Sequence, residues 1–152
     1  MITEDYVSFE VAELLKEKGF DEKCSCVWII NKANNPEDTD GVYKVASPYF
    51  MEGESYVSNE DIDRVLKYFD EYYYKDAFLC PTLSVVMKWL REIHNIHIDI
   101  NTNWAFKDDL IVVGYMFNTH STINSWYQDL VNYPTYEEAC EEAIKYCLEN
   151  LI

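Results

Sequence analysis

Residues 81–117 read PTLSVVMKWLREIHNIHIDINTNWAFKDDLIVVGYMF, and this stretch decides the fold of the chain. Its first part predicts an amphipathic helix, because Thr82 is a typical N-cap residue and apolar side chains follow it at helical spacing. Its second part alternates apolar and polar residues over 96–100 and then continues in two apolar runs, which is typical of β-strands. The stretch therefore predicts a helix lying on a sheet.

The predicted sheet is an antiparallel meander, because its connections are too short for the crossovers that parallel strands need. We expect its strands at residues 97–100, 104–107 and 110–117. A tight turn is expected at residues 101–103, where the sequence is Asn-Thr-Asn. Gly114 is expected to allow a β-bulge or the close approach of a covering helix.

The rest of the chain predicts three more helices and two more strands. Helices are expected at residues 9–18, 58–69 and 135–151, each beginning at a Ser or Thr cap, and strands at residues 24–30 and 42–46. The pattern at 119–133 is compatible with a loop or a short edge strand. The order is α-β-β-α-α-β-β-β-α, an α+β fold in which an antiparallel sheet of about four to five strands is packed by about four helices. Residues 1–152 are expected to form one domain.

The charge of the chain excludes some classes of partner. Twelve basic and 28 acidic residues give a formal net charge of −16 and a pI near 4.3. Such a chain is repelled by phosphate backbones and anionic membranes, so neither direct nucleic-acid binding nor membrane binding is predicted, and a basic protein is the expected partner. The acidic N-terminus is unlike a secretory signal, which favours a cytoplasmic protein.

The cysteines and histidines do not predict a metal site or a disulfide. Five cysteines, an odd number without an export signal, are typical of reduced thiols. Cys24-x-Cys26 has one residue fewer than the usual zinc spacing, and His94 and His97 are expected on a helix end and a strand that point in different directions. No metal and no cofactor are predicted.

No catalytic signature stands out. Adjacent acids such as Asp108 and Asp109 normally stay solvated, whereas catalytic carboxylates need burial or a specific partner. The four glycines are not grouped as a phosphate-binding loop would require. The sequence therefore favours a non-enzymatic protein and predicts no catalytic residue.

Aromatic residues make up 16% of the chain, with 13 tyrosines and four tryptophans. Such side chains suit binding surfaces because they bury a large area and keep a polar group, although packing and simple exposure are the alternatives. Trp28 and Trp89 are expected in the core. The candidate partner-binding residues are Tyr72, Tyr73, Tyr74, Trp126 and Tyr127.

Three segments carry a family resemblance: SFEVAELLKEKGF at 8–20, PTLSVVMKWLREIHNIHI at 81–98 and TYEEACEEAIKYCLENLI at 135–152. They resemble a family of small uncharacterised bacterial proteins often encoded by phages or prophage-like elements. The most specific piece is the Pro-Thr pair at 81–82 followed by Lys-Trp-Leu-Arg-Glu at 88–92. The resemblance implies a single α+β domain and no known activity, and no functional residue is carried over from it.

These observations support one functional hypothesis and two alternatives. The hypothesis is a small acidic accessory protein, related to phages or mobile elements, that binds a protein partner. The alternatives are a nucleic-acid mimic that inhibits a DNA-binding protein and a small hydrolase that uses carboxylates or His97. A homodimer is also compatible with the sequence, because apolar sheet faces and tyrosine patches often pair with a symmetric copy.

Overall fold

The computed structural model describes residues 5–31, 41–69, 74–107, 109–121 and 126–152. Its elements, in chain order, are α1 (Phe9–Glu17), β1 (Cys26–Asn31), β2 (Val42–Ala46), α2 (Ser47–Phe50), α3 (Asn59–Phe69), β3 (Tyr74–Leu79), α4 (Leu83–Ile93), β4 (Ile96–Lys107), β5 (Asp109–Ser121), β6 (Trp126–Gln128) and α5 (Tyr136–Asn150). The predicted α+β class with antiparallel strands is confirmed. Where the sequence predicted one sheet of four to five strands, six strands form two three-stranded sheets.

The chain divides into two compact units. The N-terminal unit comprises residues 6–81, and the C-terminal unit comprises residues 82–152 together with Asp5. The prediction that residues 1–152 form one domain is a statement about how these two units associate, and it stays a prediction.

The N-terminal unit is built on a sheet with the strand order β2-β1-β3. Its central strand β1 pairs antiparallel with both neighbours, and β1 and β2 lie at the two strands predicted at residues 24–30 and 42–46. Phe9 of α1 packs edge-on against Trp28 and Phe78 on this sheet. Strand β3 was not predicted, because its first half reads Tyr-Lys-Asp and only its second half is buried, so its alternation is weak.

The predicted helix caps are confirmed. Thr82 accepts a hydrogen bond from the Val85 amide at the start of α4, and Thr135 accepts one from the Glu138 amide at the start of α5. Before α3, the Asp61 carboxylate accepts hydrogen bonds from the Ser58 amide and hydroxyl, which lowers the pKa of Asp61. These caps satisfy amides that have no partner within the helix.

The C-terminal unit is built on a long hairpin of β4 and β5, with β6 added beside β5. The turn predicted at residues 101–103 was wrong: these residues continue β4, paired with residues 114–116. Pairing along the whole length of β5 outweighs the local turn preference of the Asn-Thr-Asn sequence. β4 instead runs on to Lys107, and β5 begins at Asp109.

Helices α4 and α5 cover one face of this hairpin. Phe117, at 2% exposure, and Ile96, at 1%, lie on the covered face, and Ile144 of α5 is fully buried. The Phe117 ring lies 6.2 Å from the Tyr146 ring of α5 and 6.1 Å from the Tyr133 ring. This core forms around the half of the hairpin nearest to α4, and the other half extends beyond it.

Candidate partner-binding surface

The far half of the hairpin, residues 103–107 and 109–113, is here called the arm. β6 pairs with β5 only at residues 118–120, and Tyr133 makes one further bridge to Tyr115. Within the described chain, each arm strand therefore has the other as its only strand neighbour. The arm exposes apolar side chains: Trp104 at 54%, Ile111 at 41%, Val112 at 45% and Val113 at 39%.

A β-bulge separates the arm from the covered half. Asn103 pairs with Gly114 and Trp104 pairs with Val112, so β5 carries one extra residue, Val113, at this point. The bulge predicted at Gly114 is thus confirmed. Because the alternation of β5 shifts by one residue there, Val112 lies beside Trp104 on the face that Phe117 occupies further along the strand. The arm thus continues the covered face without its covering helix.

Gly114 is required where the bulge meets Asn132. A β-carbon at Gly114 would overlap the Asn132 side chain. That side chain donates a hydrogen bond of 2.8 Å to the Val113 carbonyl and accepts one of 3.2 Å from the Asn103 amide group. The close approach predicted at Gly114 is therefore made by an asparagine and not by a helix. These hydrogen bonds tie the 129–133 segment to the base of the arm.

The exposed apolar surface continues into the 129–133 segment. Leu130 is 77% exposed and Val131 is 53% exposed, directly before Asn132. The Asp129 carboxylate holds the segment by accepting hydrogen bonds from the Val131 amide, at 3.0 Å, and from the Tyr133 hydroxyl, at 2.6 Å. Scattered apolar residues are ordinary on a protein surface, whereas large contiguous apolar patches are typical of interaction sites.

The arm exposes apolar side chains, and Asp109, the first residue of β5, is exposed as well. Over residues 103–113, the charged side chains belong to Lys107, Asp108 and Asp109. The outer edge of β4 pairs with no other described strand, since β4 ends the sheet order β4-β5-β6. An unpaired edge with apolar side chains is a template on which an extended segment of another chain can add as a further strand.

The predicted partner-binding residues occupy different places. Trp126 is 59% exposed and pairs with His120 on the face that the helices do not cover. Tyr127 points to the covered face, where its ring stacks on Tyr146 at 4.0 Å, so it is a packing residue. Tyr74 lies in the N-terminal unit, half-buried beside the Phe50 ring at 5.7 Å. Tyr72 and Tyr73 lie outside the described residues.

The residues of the arm were missed as a surface because their sequence is typical of interior strands. The run Leu-Ile-Val-Val at 110–113 is apolar on both faces, which indicates burial when nothing else is known. Trp104 was likewise assigned to a strand of the sheet. The one available signal for this exposed surface is the length of the elements. The 15 residues of α5 span about 22 Å, whereas the 13 residues of β5 span about 44 Å. The helix is therefore too short to cover the whole strand.

A small cavity in the C-terminal unit does not suggest an active site. Its volume is about 180 Å³, below the roughly 300 Å³ at which ligand pockets begin. It is lined by Asp5, Thr82, Leu83, Ser84, Met87, Tyr136, Glu137 and Cys140. Its lining includes no histidine, so the histidine named in the hydrolase hypothesis, His97, is elsewhere.

The histidines of the hairpin lie on its solvent side. His97 is exposed and pairs with His120, whose imidazole lies 2.9 Å from the Asp99 carboxylate. Both side chains of this contact are open to solvent. Among the described residues there is no group of three side chains able to hold a metal ion. In the same part of the chain, every helix is too short or too polar to cross a membrane.

Comparison with known proteins adds no assignment: no protein-family model, curated protein or solved structure matches this chain.

Proposed function

We propose that this chain is a non-enzymatic protein-binding protein whose arm takes up an extended, basic segment of a partner protein along the outer edge of β4. The observation that carries the proposal is the arm itself, in which four apolar side chains are at least 39% exposed beside a strand edge that no other described strand pairs with. Strand addition supplies backbone hydrogen bonds, and the side chains beside the edge supply selectivity. Trp104 is the natural anchor, because tryptophan contributes heavily to binding when a partner buries it.

Charge favours a basic partner over a second copy of the chain. Two copies, each with a net charge of −16, repel one another, while a basic segment is attracted. The Asp99 carboxylate, 60% exposed, lies on the same strand edge as the arm, and Asp109 lies at its tip. The apolar sides would hold such a segment, and the acids would steer and orient it.

The proposal is tested by affinity capture from host lysate with matched variants. Trp104→Ala combined with Val112→Ser removes the apolar side of the arm, and Tyr49→Ala, at an 85% exposed position of the N-terminal unit, is the control. We expect a basic protein that the wild type and the Tyr49 variant retain and that the arm variant loses. With that partner purified, the arm variant should bind at least about tenfold more weakly.

Hydrogen exchange then locates the contact. Amides on the outer edge of β4 should exchange more slowly when the partner is bound, because strand addition gives them acceptors. A partner that the arm variant still retains but a Trp126→Ala variant loses would place the site on the other face of the sheet and overturn the proposal. A concentration-dependent homodimer abolished by the arm substitutions would make a second copy the occupant, which also overturns it.

Nucleic-acid mimicry is the alternative that the net charge favours, and salt separates the two. A mimic binds through many carboxylates, so its affinity should fall steeply with salt and should be insensitive to the arm substitutions. Binding through the arm should keep most of its affinity at moderate salt. The phage or mobile-element setting and the cytoplasmic location stay predictions that neither outcome tests.

A further inference from the structure

Cys26 and Cys80 face one another across two neighbouring strands of the N-terminal unit. Val27 pairs with Leu79, and the Cys80 amide donates a 3.0 Å hydrogen bond to the Cys26 carbonyl, so these cysteines are the next directly opposite pair. In a hydrogen-bonded antiparallel pair the α-carbons are about 5.5 Å apart. Disulfides span α-carbons about 4.4 to 6.8 Å apart, so the backbone already has a spacing that a disulfide can bridge.

The two thiols also lie on the same face of the sheet, because directly opposite residues of neighbouring strands point to one side. The Cys26 thiol donates a hydrogen bond of 3.2 Å to the Val45 carbonyl, and the Cys80 thiol donates one of 3.8 Å to the Val7 carbonyl. The neighbouring Cys80 thiol lowers the pKa of Cys26 to about 7, with further help from the charge of Lys44. The neighbouring Cys26 sulfur and burial raise the pKa of Cys80. The pair thus combines one sulfur that is readily a thiolate with one that remains a thiol, the combination that oxidation to a disulfide uses.

We infer that Cys26 and Cys80 form an oxidisable dithiol that hydrogen peroxide converts into a disulfide. The Cys26 thiolate attacks one peroxide oxygen, which forms a sulfenic acid and releases water after proton uptake. The Cys80 sulfur then loses its proton and attacks the Cys26 sulfur, which releases the second water. Two thiols and one peroxide thus give one disulfide and two waters, and a dithiol reductant reverses the bond.

The other cysteines are less suited to this reaction. Burial raises the pKa of Cys147 to about 12 and that of Cys140 to about 11. Cys24 is also buried, with its pKa raised to about 12, and its thiol donates to the Glu22 carbonyl at 3.2 Å. Cys26 keeps 6% of its surface exposed beside the edge strand β2, against 0% for Cys80, so peroxide reaches Cys26 first.

The bond would tie β1 to β3 and close a loop that contains β2, α2 and α3. Cross-linking residues this far apart in sequence restricts the unfolded chain, so the oxidised N-terminal unit should unfold at a higher temperature than the reduced one. This inference does not depend on the arm or on its partner, since all of the residues involved belong to the N-terminal unit.

The test treats the reduced, full-length protein with a small excess of hydrogen peroxide and maps its peptides by mass spectrometry without reduction. We expect a mass loss of about 2 Da, a linked pair of peptides carrying Cys26 and Cys80, and return to the starting mass with dithiothreitol. Cys80→Ser should leave a Cys26 sulfenic acid that dimedone traps. Cys147→Ser, a change at a buried thiol of α5, should keep the Cys26–Cys80 link.

The peptide map of the wild type decides the question even if a variant fails to fold. A link from Cys26 to Cys24 would overturn the inference, because it would show that the cross-strand pair is not the reactive one. Retention of all five thiols, under peroxide that oxidises the urea-unfolded chain, would overturn it as well.

Discussion

The two halves of the β4–β5 hairpin are built from the same kinds of residue and have different surroundings. The covered half holds Phe117 at 2% exposure beneath α5, while the arm holds Trp104 at 54% on the same face. Burial under a helix makes an apolar side chain a source of stability. The same type of side chain left exposed contributes little to folding and is available to a partner. Packing in the core therefore does not account for the apolar residues of the arm.

The largest effect on the free energy of unfolding is expected from a change in the covered half. Phe117→Ala should lower the free energy of unfolding by about 3 to 5 kcal/mol, because it removes a buried ring and leaves a cavity among Tyr127, Tyr133 and Tyr146. Trp104→Ala is the matched change in the arm and should cost less than about 1 kcal/mol, since it loses mainly cross-strand contact with Val112. Urea unfolding of both variants measures the difference. Equal losses would mean that the arm is part of the core.

The second prediction concerns alkaline pH, because the side chains whose pKa values are raised pack at the covered half and not in the arm. Burial raises the pKa of Cys140 to about 11, that of Cys147 to about 12, and that of Tyr133 above its ordinary value. A folded-state pKa above the unfolded value means that stability is complete below the unfolded pKa and is lost as the pH rises above it. For these thiols the loss should begin near pH 9, with Tyr133 adding to it above about pH 10.

For each of these two thiols we expect the free energy of unfolding to fall by about 1.5 kcal/mol between pH 8 and pH 10. Urea unfolding at a series of pH values checks the slope. Cys147→Ala should reduce the slope, because it removes one of the thiols that must be kept protonated in the fold. A slope unchanged by this substitution would contradict the assignment to Cys147.

The third prediction concerns the junction between the two halves. Gly114→Ala places a β-carbon against the Asn132 side chain and should cost about 1 to 2 kcal/mol, since the hydrogen bond from Asn132 to the Val113 carbonyl is displaced. In an Asn132→Gly background the same change should cost less, because the obstructing side chain is absent. A double-variant cycle in urea measures this coupling, and strictly additive losses would contradict the close contact.

Local signals in the sequence predicted most elements correctly. Cap residues at Thr82, Ser58 and Thr135 identified three helix starts, because a side-chain oxygen before an apolar period satisfies amides wherever the helix lies. Gly19 adopts a left-handed backbone just after α1, with φ at 79°, as glycines that follow a helix commonly do. Strand β3 and the continuity of β4 through residues 101–103 escaped prediction, because both depend on pairing with residues far along the chain.

The candidate surface was less predictable than the fold. Trp126 was predicted to be exposed for a partner and is exposed, but Tyr127 beside it packs against Tyr146, since adjacent strand residues point to opposite faces. The arm residues Trp104 and Val112 were assigned to strands of the sheet without any expectation that they would be exposed. An apolar strand residue has the same appearance in a sequence whether or not a helix lies over it.

By itself, the sequence determined the α+β class, the helix caps, the antiparallel pairing of β4 with β5 and the strong negative charge, because each depends on composition or on residues close together in the chain. Only the tertiary structure decided the division into two sheets, the opposition of Cys26 and Cys80, and the exposure of the arm. Those features depend on where α5 ends relative to β5 and on which distant strands pair. Such contacts are set by the packing of the whole unit, which no local pattern encodes.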